Sequence, residues 1–132
     1  MATLLDLSSL RKAVLSLERA LKQEKNEFLR DSVVQRFEYS YELCWKFMAR
    51  HLEQDIGSIE TDRLSRRDLF RVAAEKGLID DPAAWFTFHA ARNRTSHMYA
   101  EEVAEEVYGV ALNFAPLARN FLNRMEKLYA PS

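Results

Sequence analysis

The run Arg92, Asn93, Arg94, Thr95, Ser96 and His97, with Tyr99 two places on, unites cation, amide, imidazole and phenol around one expected helix end. Arginine offers a planar fork of donors that matches phosphate oxygens, and histidine is the side chain that gives or takes a proton near neutrality. Together they suit a phosphate-bearing ligand. Arg92 and His97, with Asn93 and Arg94 beside them, are therefore the candidate contacts for such a ligand. A purely structural use of the same letters is that Arg92 and His97 neutralise the negative end of a helix, worth about 0.3 to 1 kcal/mol each. Asn93 can equally end the helix, and Arg94 can be a solvated charge.

Other reactive side chains fit less demanding roles. Cys44 lies within an apolar helical pattern, and its neighbours Leu43 and Trp45 supply neither a base nor positive charge, so it reads as a small core residue. Trp85, Phe86 and Phe88 could stack a base but match apolar periodicity and read as core. Glu38 and Glu42, one turn apart, are candidates to orient Arg92, although Glu42 also stands one turn from Lys46, the default partner along its own helix. No HExxH, ExxH or paired CxxC occurs, and no glycine-rich phosphate loop. The sequence therefore predicts neither a metal site nor a bound cofactor, and no nucleotidyltransferase active site of its own.

The Arg-x4-His pattern, followed here by x-Tyr, resembles the signature of the HEPN family (higher eukaryotes and prokaryotes nucleotide-binding domains). QRFEYSYELCWK from Gln35 to Lys46 and GLIDDPAAW from Gly77 to Trp85 look like the branch called nucleotidyltransferase substrate-binding proteins. The resemblance covers most of the chain and is weakest over Asp55 to Leu64. It implies a dimer that binds a nucleotide or RNA and partners a separate minimal nucleotidyltransferase, in pairs that often act as toxin and antitoxin. In nuclease members of the family, paired motifs from two protomers cleave RNA without a metal. Carried onto this sequence, that chemistry rests on Arg92 and His97. In some relatives with Arg-x4-His-x-Tyr the partner enzyme nucleotidylates the tyrosine, here Tyr99, and silences the toxin.

Composition narrows the setting. A chain of 132 residues is ordinary for one domain, and residues 1–132 are expected to form one. A formal net charge of -1 gives no global attraction to nucleic acid or membrane, so a polyanion must be held by a local patch. Arg63, Arg66, Arg67, Arg71, Arg92 and Arg94 fall in two runs that only folding could bring together; separately they read as two solvated helix ends. The single cysteine, the lack of a leader-like start and the absence of any run of about 20 apolar residues predict a cytoplasmic protein with no membrane span.

The elements that must position these residues follow from helical spacing. Leu7, Leu10, Val14, Leu17 and Leu21 predict a helix from about Leu7 to Gln23. Val34, Phe37, Tyr41, Cys44, Met48 and Leu52 predict a long second helix, capped by Asp31 and reaching about Glu53, with Gly57 in a loop. Tyr39, Leu43 and Phe47 form a second apolar stripe on that helix, which calls for another partner, a further helix or a second copy of the chain. Ser65 and Gly77 bracket a short third helix, and Asp81 with Pro82 starts a fourth that runs towards Arg92. Glu101 or Glu102 opens the last, with a kink or break expected at Pro116. With no period-2 apolar runs, the fold class is all-α, an antiparallel up-and-down bundle of four or five helices.

Overall fold

The computed structural model describes residues 5–129, which form an all-helical bundle. Its helices are α1 (Ser8–Leu21), α2 (Glu27–Ile56), α3 (Ser58–Asp62), α4 (Arg66–Glu75), α5 (Pro82–Arg94) and α6 (Glu101–Tyr129), with a 3₁₀ turn over Thr95–His97 between α5 and α6. At 1.5 Å per residue, α2 and α6 each span roughly 45 Å, and they form the long axis on which the shorter helices pack. α2 packs against every other α-helix, and α6 against α1, α2 and α5.

Helix starts follow local chemistry. Ser65 Oγ accepts from the Asp68 backbone N–H at 3.1 Å, and Asp81 Oδ1 accepts from Ala83 N–H at 3.1 Å, one residue after Pro82. Gly77, with φ of +80°, ends α4: the Leu78 N–H reaches back to the Ala73 carbonyl at 2.9 Å, and the turn delivers Leu78 and Ile79 into the core. Asn26, not Asp31, caps α2, its Oδ1 accepting from Leu29 N–H at 2.8 Å. Asp31 lies a turn inside the helix and pairs with Arg30. Both residue types satisfy an N-cap, and the sequence stripe begins too far along to reveal the earlier turn.

Two further differences have physical causes. Gly57, at φ of +87°, is followed by the one-turn helix α3, too short to show periodicity. The helix expected to kink or break at Pro116 continues through it to Tyr129. Proline removes a hydrogen bond to the carbonyl of Leu112, but both residues face solvent, where water can satisfy that carbonyl, while buried Phe114, Ala115, Ala118 and Phe121 hold both halves on the core.

The main stripe of α2 is fully internal from Val34 to Leu52. Of its second stripe, Phe47 also enters the core, whereas Leu43 is half-buried and Tyr39 remains 38% exposed, its hydroxyl donating to Ser16 Oγ at 3.0 Å. Buried Cys44 is a core residue, and burial pushes its thiol pKa well above the ordinary value. Trp85 and Phe88 are core as expected, while Phe86 is only partly covered. Phe114 of α6 meets Phe37 of α2 and Phe88 of α5 edge-on, both at 5.1 Å between ring centroids, and Trp85 at 5.7 Å. Such pairs add about 0.5–1.5 kcal/mol each beyond burial. No described helix is long and apolar enough to cross a membrane.

Phe114→Ala should lower the unfolding free energy by roughly 3–5 kcal/mol, because three helices share that one ring. Asp81→Ala, losing only a cap, should cost about 1 kcal/mol. Urea titration followed by circular dichroism measures both, and near-equal losses would contradict the assignment of Phe114 as the junction.

Candidate functional site

α5 carries Arg92 on the face opposite solvent-exposed Ala90, directed towards α2 by the packing of Trp85, Phe88 and Ala91 into the core. There the Arg92 guanidinium meets two carboxylates: its Nε donates to Glu42 Oε1 at 3.0 Å, and Nη2 lies 3.6 Å from Glu38 Oε1. Arg92 thus turns away from its own helix end. Glu42 chooses Arg92 over Lys46, whose ammonium lies over the Trp45 ring at 5.8 Å. The other oxygen of Glu42 accepts from Trp45 Nε1 at 3.0 Å, so one carboxylate holds both the indole and the arginine.

The helix end is finished by a residue the sequence did not single out. Thr95 Oγ1 donates to the Arg92 carbonyl at 2.8 Å, and the chain tightens into the 3₁₀ turn. Asn93 lies in the last turn of α5, whose C-cap is Thr95, with its Nδ2 at 3.5 Å from His89 Nε2. Arg94 pairs with Glu106 of α6. His97 is exposed, with Nδ1 at 3.4 Å from the hydroxyl of Tyr99, which is itself 86% exposed. No hydrogen bond or ion pair joins Arg92 to His97 among the described residues. The fold therefore presents a braced cation and an open imidazole–phenol pair as neighbours along the chain, not as a closed dyad.

His89 occupies a different environment. Its Nδ1 hydrogen-bonds the hydroxyl of buried Tyr41 at 2.7 Å. Burial, followed by the charge of Arg66, holds its pKa below the ordinary histidine value; Glu42 opposes the shift, and Arg92 and Arg67 add to it. Arg66 and Arg67 of the first arginine run and Arg92 of the second thus all act on this ring. Within α4, Arg66 places its guanidinium 3.2 Å from the Trp45 ring centre, and Arg67 lies 4.7 Å from that of Phe86. The Nε of Arg66 is buried with no hydrogen-bond partner, which costs on the order of 1–3 kcal/mol for such a donor. The α4 arginines were visible in the sequence as a basic run, but their stacking on α2 and α5 was not.

The nucleotidyltransferase substrate binding protein like family matches residues 5–127. The chain belongs to that family. A curated relative from Haemophilus influenzae, named Probable ribonuclease HepT, is 38% identical over 119 residues, spanning 79% of this chain and 80% of its own. A solved Haemophilus influenzae structure, described as the fold of a substrate binding domain of a nucleotidyltransferase, superposes with a TM-score of 0.84 at 30% identity, covering 92% of this chain and 99% of that one. A Thermus thermophilus structure gives a TM-score of 0.75 at 28% identity over 88% and 98% of the two chains. Membership supports the resemblance drawn from the Arg92 motif and the Gln35 and Gly77 blocks, and the all-α fold agrees with it.

The position of His89 has a measurable consequence for this family member. A histidine whose folded pKa is depressed stabilises the fold fully above its unfolded value, and that stability is lost as pH falls through the folded value. His51, also held low by burial, acts with the same sign against the opposing charge of Asp55. Thermal unfolding should therefore shift to lower temperature as pH drops below about 6.5. His89→Gln should flatten part of that slope; a slope unchanged by this substitution would remove His89 as its source.

Proposed function

We propose that this chain is the nucleotide- or RNA-binding partner of a separate minimal nucleotidyltransferase, acting as a homodimer within a toxin–antitoxin pair. The observation that carries this reading is Arg92 itself: two carboxylates of α2 hold its guanidinium, and the exposed His97 and Tyr99 follow in the adjoining turn. Glu42 and Glu38 engage part of the fork, so their role is to orient it towards phosphate rather than to neutralise the patch, which Arg66 and Arg67 keep positive. Family membership supports the nucleotidyltransferase partnership. Pairing of protomers would bring a second copy of each motif residue to the ligand, as the HEPN resemblance implies.

A second reading, metal-independent RNA cleavage, is favoured by the exposure of His97 and by the ribonuclease name of the Haemophilus influenzae relative. In that reaction the ribose 2′-oxygen attacks the adjacent phosphorus, the 5′-oxygen leaves, and a cyclic phosphate remains. His97 takes the hydroxyl proton or supplies one to the leaving oxygen, while Arg92 stabilises the charge growing on the phosphoryl oxygens. Regulation fits the same turn. The Tyr99 oxygen would attack the α-phosphorus of a nucleoside triphosphate held by the partner enzyme, releasing pyrophosphate, with the phenolic proton passing to base. His97 Nδ1, at 3.4 Å, stands where that proton could go, and the attached nucleotidyl group would lie against the imidazole.

Arg92→Ala should weaken nucleotide or RNA binding by about tenfold or more, the scale of a lost charge-assisted hydrogen bond. Equal affinity in fluorescence-anisotropy titrations would refute the binding role. Induced expression without the nucleotidyltransferase separates the two readings. Growth arrest by wild type, relieved in His97→Ala at equal soluble level, establishes the ribonuclease; unchanged growth in both leaves binding as the function.

A further inference from the structure

Arg66 and Arg67 open α4, yet neither forms an ion pair with a carboxylate among the described residues. The acids that could neutralise them are engaged elsewhere: Glu42 with Arg92 and the Trp45 indole, Glu38 with Arg92, and Asp68 with Arg71. Instead, each guanidinium lies on an aromatic ring. Arg66 covers Trp45, an α2 residue one turn beyond Glu42, and Arg67 covers Phe86, an α5 residue nearly two turns before Arg92. Stacking engages the face of a guanidinium and leaves the N–H donors around its edge, in plane and pre-oriented, for a second partner.

The pattern differs from that of the other arginines in the two basic runs, although Arg71 also lies 5.3 Å from the centre of the Phe86 ring. Arg63, Arg71 and Arg94 are each paired to a carboxylate, so the basic runs do not form one uniformly solvated surface. Arg66 and Arg67 are held on rings, next to an arginine already braced by α2. The Nε of Arg66 is also buried without a hydrogen-bond partner among the described residues.

We propose that Arg66 and Arg67 form a second phosphate subsite beside Arg92, for a phosphate carried either by an RNA strand or by a free nucleotide. This rests on the nucleotide- or RNA-binding reading above and deepens it: Arg92 and the α4 pair engage different phosphates, or different oxygens of a polyphosphate. His89 feels the charge of all three arginines, and burial together with that charge holds its pKa below the ordinary histidine value.

The test uses the full chain with three probes: a short single-stranded uridine oligonucleotide, ADP and inorganic pyrophosphate. Wild type is compared with Arg67→Gln, which removes an exposed charge, and Arg66→Lys, which keeps charge but loses the planar fork. Urea unfolding confirms that both variants remain folded. Each should weaken binding severalfold, and Arg67→Gln should lower the slope of log affinity against log salt for the oligonucleotide by about 0.7 for each phosphate it ceases to neutralise. Loss confined to the oligonucleotide assigns the phosphate to an RNA strand, and a matching loss for ADP assigns it to the nucleotide. Unchanged affinity for every probe in both folded variants overturns the subsite, while Arg92→Ala still reports on the broader reading. Pyrophosphate binding that depends on Arg66 and Arg67, in a protein that binds neither RNA nor ADP, keeps the subsite and overturns the broader reading. A wild type that binds none of the three overturns both.

Discussion

The meeting of Phe37, Phe88 and Trp85 around Phe114 is the constraint on which the rest of the molecule depends. It joins α2, α5 and α6 at one depth of the bundle, and aromatic rings of this size cannot be rotated past one another without opening the core. With Trp85, Phe88 and Ala91 committed inward, the azimuth of α5 is set, and Arg92 must emerge on the flank that faces α2. The chemistry-bearing end of α5 is thus a consequence of apolar packing several residues earlier in the chain.

Electrostatics then secures both ends of the turn that carries His97 and Tyr99. Before the turn, Arg92 is tied to α2 and Arg94 to Glu106 of α6. After it, Glu101 and Glu105 at the start of α6 meet Arg30 of α2, whose side chain is almost wholly buried and also contacts Asp31. These bonds raise the Arg30 pKa above the ordinary arginine value, with the bond to Glu105 the largest contribution. An exposed segment anchored on both sides can present reactive groups to solvent without unravelling the helices that support it.

Membership of a family does not by itself assign chemistry, because one helical scaffold can host binding or catalysis according to what stands at a single turn. Here the turn presents an imidazole and a phenol, the adjacent helix a braced arginine, and α4 two further arginines on aromatic supports. The arrangement is rich in donors for anionic oxygen and open on the solvent side, properties that binding and phosphodiester cleavage share.

Local sequence was sufficient for the elements themselves. The Val34 to Leu52 stripe, the Ser65 and Asp81 caps, Gly77 and the core placement of Trp85 and Phe88 follow from periodicity and backbone chemistry acting over one or two turns. The motif from Arg92 to His97, with Tyr99, was also visible, as was the kinship it suggests. Asn26 escaped notice because Asp31 satisfies the same local rule, α3 because one turn carries no period, and the continuity of α6 because packing on both sides of Pro116 outweighs one lost hydrogen bond. Tertiary structure alone decided that Glu42 takes Arg92 instead of Lys46, that Tyr41 meets His89, and that the arginines of α4 join the one on α5. Those choices depend on the relative rotation and register of separate helices, which are set by long-range core packing and leave no periodic trace in the residues that make the contacts.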